Sequence, residues 1–85
     1  MSKKYIVYSF EYEQPYKEYN TKKEAIDYAK KAIHAITPLY LGGADNNTFT
    51  IFIDVDNGKN VYGVYQISKI YEYGHETIKE VKYND

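Results

Sequence analysis

The segment from Thr21 to Ile36 carries the one helical period in this chain of 85 residues, and it constrains everything around it. Thr21 and Glu24 have the Thr-x-x-Glu spacing of a capping box, in which the threonine hydroxyl accepts from a first-turn amide and the glutamate reaches back to the cap amide. Ala25, Ile26, Ala29, Ala32, Ile33 and Ile36 then recur at steps of one, three and four, while Asp27, Lys30, Lys31 and His34 project away from that stripe. Thr37, before Pro38, is biased out of helical geometry, so the helix ends there. A narrow, alanine-rich stripe suits a helix laid closely across one face of a sheet. One helix cannot cover two faces.

The remaining periodic segments alternate with period two, as half-buried strands do. Lys4 to Glu13 places Ile6, Tyr8, Phe10 and Tyr12 on one face and Ser9, Glu11 and Glu13 on the other. Tyr16 to Asn20 either returns as a short second strand or leads into the helix. Leu39 to Asn47, with Gly42-Gly43 and Asp45-Asn46-Asn47, reads as a loop. Thr48 to Asp56 sets Phe49, Ile51, Ile53 and Val55 against Thr48, Thr50, Phe52, Asp54 and Asp56.

Asp56-Asn57-Gly58-Lys59 signals a hairpin, because Asn and Gly tolerate the positive backbone angles of a tight turn. Two registers compete. A two-residue turn sets Ile51 opposite Val64 and Ile53 opposite Tyr62. A three-residue loop aligns Val61, Gly63, Tyr65 and Ile67 with Val55, Ile53, Ile51 and Phe49, and keeps more apolar residues on one face. The strand from Asn60 to about Tyr73 is long enough to need a bend or bulge near Gln66 to Lys69. Gly74-His75 makes the next turn, and Thr77 to Tyr83 forms a charged, protected edge. The expected fold is α+β in a single domain spanning residues 1–85: an antiparallel sheet of four to five strands, order β(β)αβββ, with one helix packed on one face.

Composition removes chemistry. There is no Cys, so no disulfide, thiolate nucleophile or Cys-based metal site forms within the chain. All eleven basic residues are Lys, so there is no guanidinium fork for phosphate or carboxylate. The apolar run near the start is broken by Ser9 and stopped by Glu11 and Glu13, which reads as a strand rather than an export signal. No segment approaches the about 18 apolar residues of a membrane span. A cytoplasmic protein without a membrane partner is the expectation.

The candidate catalytic and metal constellations are weak. Asp54-Val55-Asp56-Asn57-Gly58 resembles the opening of a calcium loop, but the glycine comes one position early and Tyr65 stands where a bidentate Glu belongs. His34 and His75 read as solvated imidazoles. The serines lie in no strand-to-helix elbow, and the pairs Glu11/Glu13 and Asp54/Asp56 read as exposed carboxylates. Gly42-Gly43 lacks the following helix of a phosphate loop. The expectation is a non-enzymatic chain with no cofactor and no metal.

Twelve tyrosines remain, too many for one small core because each buried hydroxyl needs a partner. Tyrosine offers a rigid contact area with a polar tip and is enriched in binding hot spots. This points to a binding domain whose partner is another protein, with Tyr62, Tyr65, Tyr71 and Tyr73 on the long strand and Asp54 and Asp56 at the hairpin as contacts. Two alternatives stand beside it: a single-stranded nucleic-acid module using Tyr5, Tyr8 or Tyr12, and a homodimer. Charge disfavours nucleic acid, because residues 1–31 carry seven lysines against five acids and residues 32–85 four against seven. The lysines at 22, 23, 30 and 31 cluster on a helix that also bears Glu24 and Asp27. In size and in its Tyr, Lys and Asn content the whole chain is similar to many small phage and mobile-element proteins, including inhibitors of bacterial defence enzymes such as CRISPR-type systems. That likeness implies occupancy of a surface on a larger protein.

Overall fold

In a computed structural model of the chain, residues 3–9, 17–36 and 48–83 are described. They form β1 (Lys4–Tyr8), β2 (Lys17–Tyr19), α1 (Lys22–Ala35), β3 (Thr48–Asp56), β4 (Val61–Glu72) and β5 (His75–Lys82). The strands pair antiparallel in one sheet of order β2-β1-β3-β4-β5, and α1 packs on one face of it, an α+β fold. The short second strand is present, and α1 carries the chain from β2 at one edge across β1 to β3.

α1 starts as its cap predicts. The Glu24 amide donates to Thr21 Oγ1 at 3.2 Å, but the Glu24 carboxylate accepts from that same hydroxyl at 2.9 Å rather than from the cap amide. Ala25, Ala29 and Ile33 are buried at the sheet, with Ile26, Ala32 and Ile36 packed at their flanks. Small residues at the first two positions let the helix lie close to β1 and β3. The expected stop at Pro38 and the loop from Leu39 lie outside the described residues.

The core joins these helix residues to Phe49, Ile51, Ile53 and Val55 of β3, to Tyr5 and Val7 of β1, and to Val64, Tyr65 and Ile67 of β4. The face of β3 is as expected; that of β1 is reversed. Tyr5 and Val7 face the helix while Ile6 and Tyr8 lie on the other side. Four consecutive apolar or aromatic residues offer both parities, and the pairing of Tyr5 with Val55 and Val7 with Ile53 selects one.

Neither expected hairpin register forms. Asp56 pairs with Val61 and Val55 with Tyr62, which leaves a four-residue loop from Asn57 to Asn60. Asn57 Oδ1 accepts from the amides of Lys59 and Asn60 at 2.9 and 2.8 Å, Asp56 Oδ1 accepts from the Gly58 amide at 2.9 Å, and Gly58 sits at φ 90. Asparagine's capacity to bond the backbone ahead of it thus sets the loop length. A bulge does interrupt β4, but at Val64 rather than between Gln66 and Lys69: Asp54 pairs with Gly63 and Ile53 with Tyr65. The extra residue lets Tyr65 and Ile67 fall on the helix side with Tyr62. The second turn is Tyr73-Gly74, not Gly74-His75, since Glu72 pairs with His75. Both turn residues have positive φ (51 and 80), which a two-residue turn with I′ twist requires.

Lys69 is a buried cation at 3% exposure. It occupies a core-facing position opposite Phe49, and its ammonium donates to the carbonyls of Ile36 at 2.6 Å and His34 at 3.3 Å, with Glu76 at 3.7 Å. A cation here satisfies carbonyls that the last helical turn leaves without amide partners and sits at the negative end of the helix dipole.

Candidate functional site

The helix side of the sheet absorbs most of the tyrosines. Of the nine in the described residues, Tyr5 and Tyr65 are in the core, and Tyr19, Tyr28, Tyr62 and Tyr71 pack against it. The tyrosine rings of residues 19 and 28 lie 5.8 Å apart, and the Lys17 ammonium is 5.1 Å from the Tyr28 ring centre. The expected contact set is therefore divided. Tyr65 is 1% exposed and its hydroxyl donates to Glu80, so it is a core residue with a satisfied polar end. That hydrogen bond holds the Glu80 carboxyl below its ordinary value, aided by Lys30 and Lys82. Burial, then Glu80, pushes the Tyr65 hydroxyl well above 10.0. Tyr62 and Tyr71 are half-buried, and Tyr73, at the turn, is 96% exposed. Asp56 is the last residue of β3, paired with Lys4 and Val61, and its carboxylate accepts from the Gly58 amide of the hairpin loop.

Asp54 belongs elsewhere, on the face that α1 does not cover. The antiparallel register places Tyr8, Phe52, Gln66 and Val81 side by side across four strands, all half-buried. The next row holds Ile6, Asp54 and Gly63. Tyr8 and Phe52 stack with centroids 5.4 Å apart and planes at 20°. The Tyr8 hydroxyl donates to Asp54 Oδ1 at 3.2 Å, and burial followed by the Asp54 charge raises its pKa. Thr50 and Ser68 share a hydroxyl contact at 2.8 Å, and the Tyr83 hydroxyl donates to Gln66 Oε1 at 3.4 Å.

Residues of these rows border an open groove of about 470 Å³ lined by Tyr8, Phe52, Asp54, Val61, Tyr62, Gly63, Tyr65, Gln66 and Tyr83. Three of the residues expected as contacts, Asp54, Tyr62 and Tyr65, border it. Phe52, Gly63, Gln66 and Tyr83 were not singled out from sequence. The available signal was Gly63, a lone glycine in a strand of aromatic and β-branched residues, which marks a bulge or a close approach.

Tyr5 is buried under the helix, so it presents no ring to a base, and Tyr12 lies outside the described residues. Lys23 pairs with Asp27 at 3.0 Å and Lys30 with Glu80 at 3.8 Å, so these helix lysines are partly neutralised. Among the described residues no cluster of three or more His, Cys, Asp or Glu side chains could hold a metal ion, and no helix is long and apolar enough to cross a membrane. No family model, curated protein or solved structure matches the chain.

Proposed function

We propose that the chain is a non-enzymatic binding domain that docks on another protein through the sheet face opposite α1. The observation that carries this is the half-buried row Tyr8, Phe52, Gln66 and Val81, which spans four strands on a face that no described helix covers and is bordered by the groove. An apolar and aromatic centre with a polar rim is the composition of a protein interface. The most concrete form of the reading is inhibition of a host or defence protein by occupancy of its surface, in the setting of a phage or mobile element. Its support is the likeness in size and composition.

Homodimerisation draws on a separate observation. β5 is an eight-residue edge strand, and such an edge offers a pairing surface. Its alternation of Glu76, Lys79, Glu80 and Lys82 works against that pairing.

Capture of partners from the native host by tagged protein, read by mass spectrometry, tests the docking face. Phe52→Glu should keep the far-ultraviolet circular dichroism of the parent and lose the captured partner, while Tyr73→Ala at the exposed turn should keep it. Retention of the same partner by folded Phe52→Glu would refute the assignment of this face.

A further inference from the structure

The groove beside Asp54 has a chemistry that narrows its occupant, given the reading of this face as the docking surface. Its lining carries one formal charge, the Asp54 carboxylate, among the aromatic residues Tyr8, Phe52 and Tyr83. Asp54 is half-buried, and among the described residues its hydrogen-bond donor is the neutral Tyr8 hydroxyl, with no lysine in ion-pair contact. A carboxylate partly withdrawn from water gains more from an added cation than an exposed one does, because the local dielectric is lower. Aromatic rings add to that attraction through their quadrupoles.

Gly63 supplies the second, independent observation. It lies directly across the strand pair from Asp54, and its φ is outside the left-handed region, so the backbone does not require glycine. A Cβ at this position would stand 3.6 Å from Asp54 Oδ1. The missing side chain therefore keeps the approach to the carboxylate open, as glycines do where a ligand comes close to a strand.

We propose that this groove receives a basic side chain of the partner protein, a lysine ammonium or an arginine guanidinium, seated against Asp54 and flanked by Tyr8, Phe52 and Tyr83. An apolar side chain would desolvate the carboxylate further without compensation. A phosphate would meet a like charge.

The test uses the 15N-labelled full chain and three peptides: acetyl-Gly-Arg-Gly-amide, acetyl-Gly-Lys-Gly-amide and the neutral acetyl-Gly-norleucine-Gly-amide. The two cationic peptides should shift the amides of Asp54, Gly63 and their neighbours saturably, and the neutral peptide should not. Asp54→Asn should weaken the cationic peptides about tenfold, the scale of a lost hydrogen bond to charge. Gly63→Val should weaken them by filling the space, and it decides the matter with the same peptides if Asp54→Asn loses its folded spectrum. Equal shifts of the same amides by the norleucine peptide would overturn the basic occupant while leaving the face a docking surface. Absence of groove shifts with both cationic peptides would also overturn it, and the docking face would then rest on the Phe52→Glu capture alone.

Discussion

Two phenylalanines three residues apart on β3 meet opposite fates. Phe49 is 0% exposed beneath α1, whereas Phe52 is half-buried on the other face, stacked on Tyr8. Apolar character does not separate them. The difference comes from α1, the one helix among the described residues, which covers the Phe49 side of the sheet and not the side that carries Tyr8, Phe52 and Gln66. The helix side holds the buried core, and the opposite side keeps Tyr8, Phe52, Gln66 and Val81 half-buried.

The largest test of that contrast is a pair of truncations. Phe49→Ala should cost about 3–5 kcal/mol, the range for a fully buried aromatic, which is enough to leave a domain of this size largely unfolded. Phe52→Ala should cost only about 1 kcal/mol, since it gives up part of one side chain's burial. Urea titration followed by circular dichroism measures both. Equal losses would show that the open face is sealed as firmly as the helix side, and the docking reading would fail with it.

Lys69 sharpens the same contrast from within the buried side. Lys69→Met keeps the length of the side chain but leaves the Ile36 and His34 carbonyls without their donor. An unsatisfied buried group costs about 1–3 kcal/mol. The loss should concentrate at the last turn of α1, so hydrogen exchange should accelerate at the amides of Ala32 to Ile36 before it does at Ala25. Uniform acceleration would mean that Lys69 stabilises the whole core and not the helix end.

How far these features could be read in the sequence follows from which interactions are local. The Thr21 cap, the Ala and Ile stripe and the alternation of β3 are local patterns that form over the residues anticipated, save that the Glu24 carboxylate bonds the Thr21 hydroxyl in place of the cap amide. The face of β1 could not be read, because Tyr5, Ile6, Val7 and Tyr8 suit either side until β3 supplies a partner. The hairpin register depended on hydrogen bonds from the Asn57 side chain that a count of turn residues does not weigh. The burial of Lys69 could not be read from local pattern, because only the meeting of β4 with the end of α1 makes a cation useful there. Asp54 was expected as one of two hairpin carboxylates. Its place beside Tyr8 is set by a pairing between residues 46 apart.

The Tyr65 hydroxyl gives a smaller effect with a defined pH window. Its pKa is raised in the folded chain, so the folded state holds this proton more tightly than the unfolded state does. The stability it contributes is fully present below the ordinary value of 10.0 and is lost as pH rises above it. Glu80 behaves oppositely: its lowered pKa gives stability that is present above the ordinary carboxylate range and lost in acid. Tyr65→Phe should cost about 1 kcal/mol at neutral pH, flatten the alkaline fall and weaken the acid one. Some alkaline slope should remain, because Tyr8 on the open face is also raised. A complete loss of that slope in Tyr65→Phe would remove Tyr8 from the account of the open face.

The smallest effect on stability falls at Gly63 and discriminates most between folding and contact. Neither backbone angle nor space demands glycine there: φ is ordinary, and an added Cβ meets Asp54 Oδ1 at 3.6 Å, a normal contact distance. Gly63→Ala should therefore leave stability unchanged or raise it by about 0.4–1 kcal/mol, through a less mobile unfolded chain. A thermal melt checks this. If the variant is at least as stable as the parent yet binds the arginine and lysine peptides more weakly, glycine at this position serves the groove and not the fold. If it melts lower by more than the error of the measurement, the bulge at Val64 needs the glycine, and the open approach to Asp54 is a by-product of strand geometry.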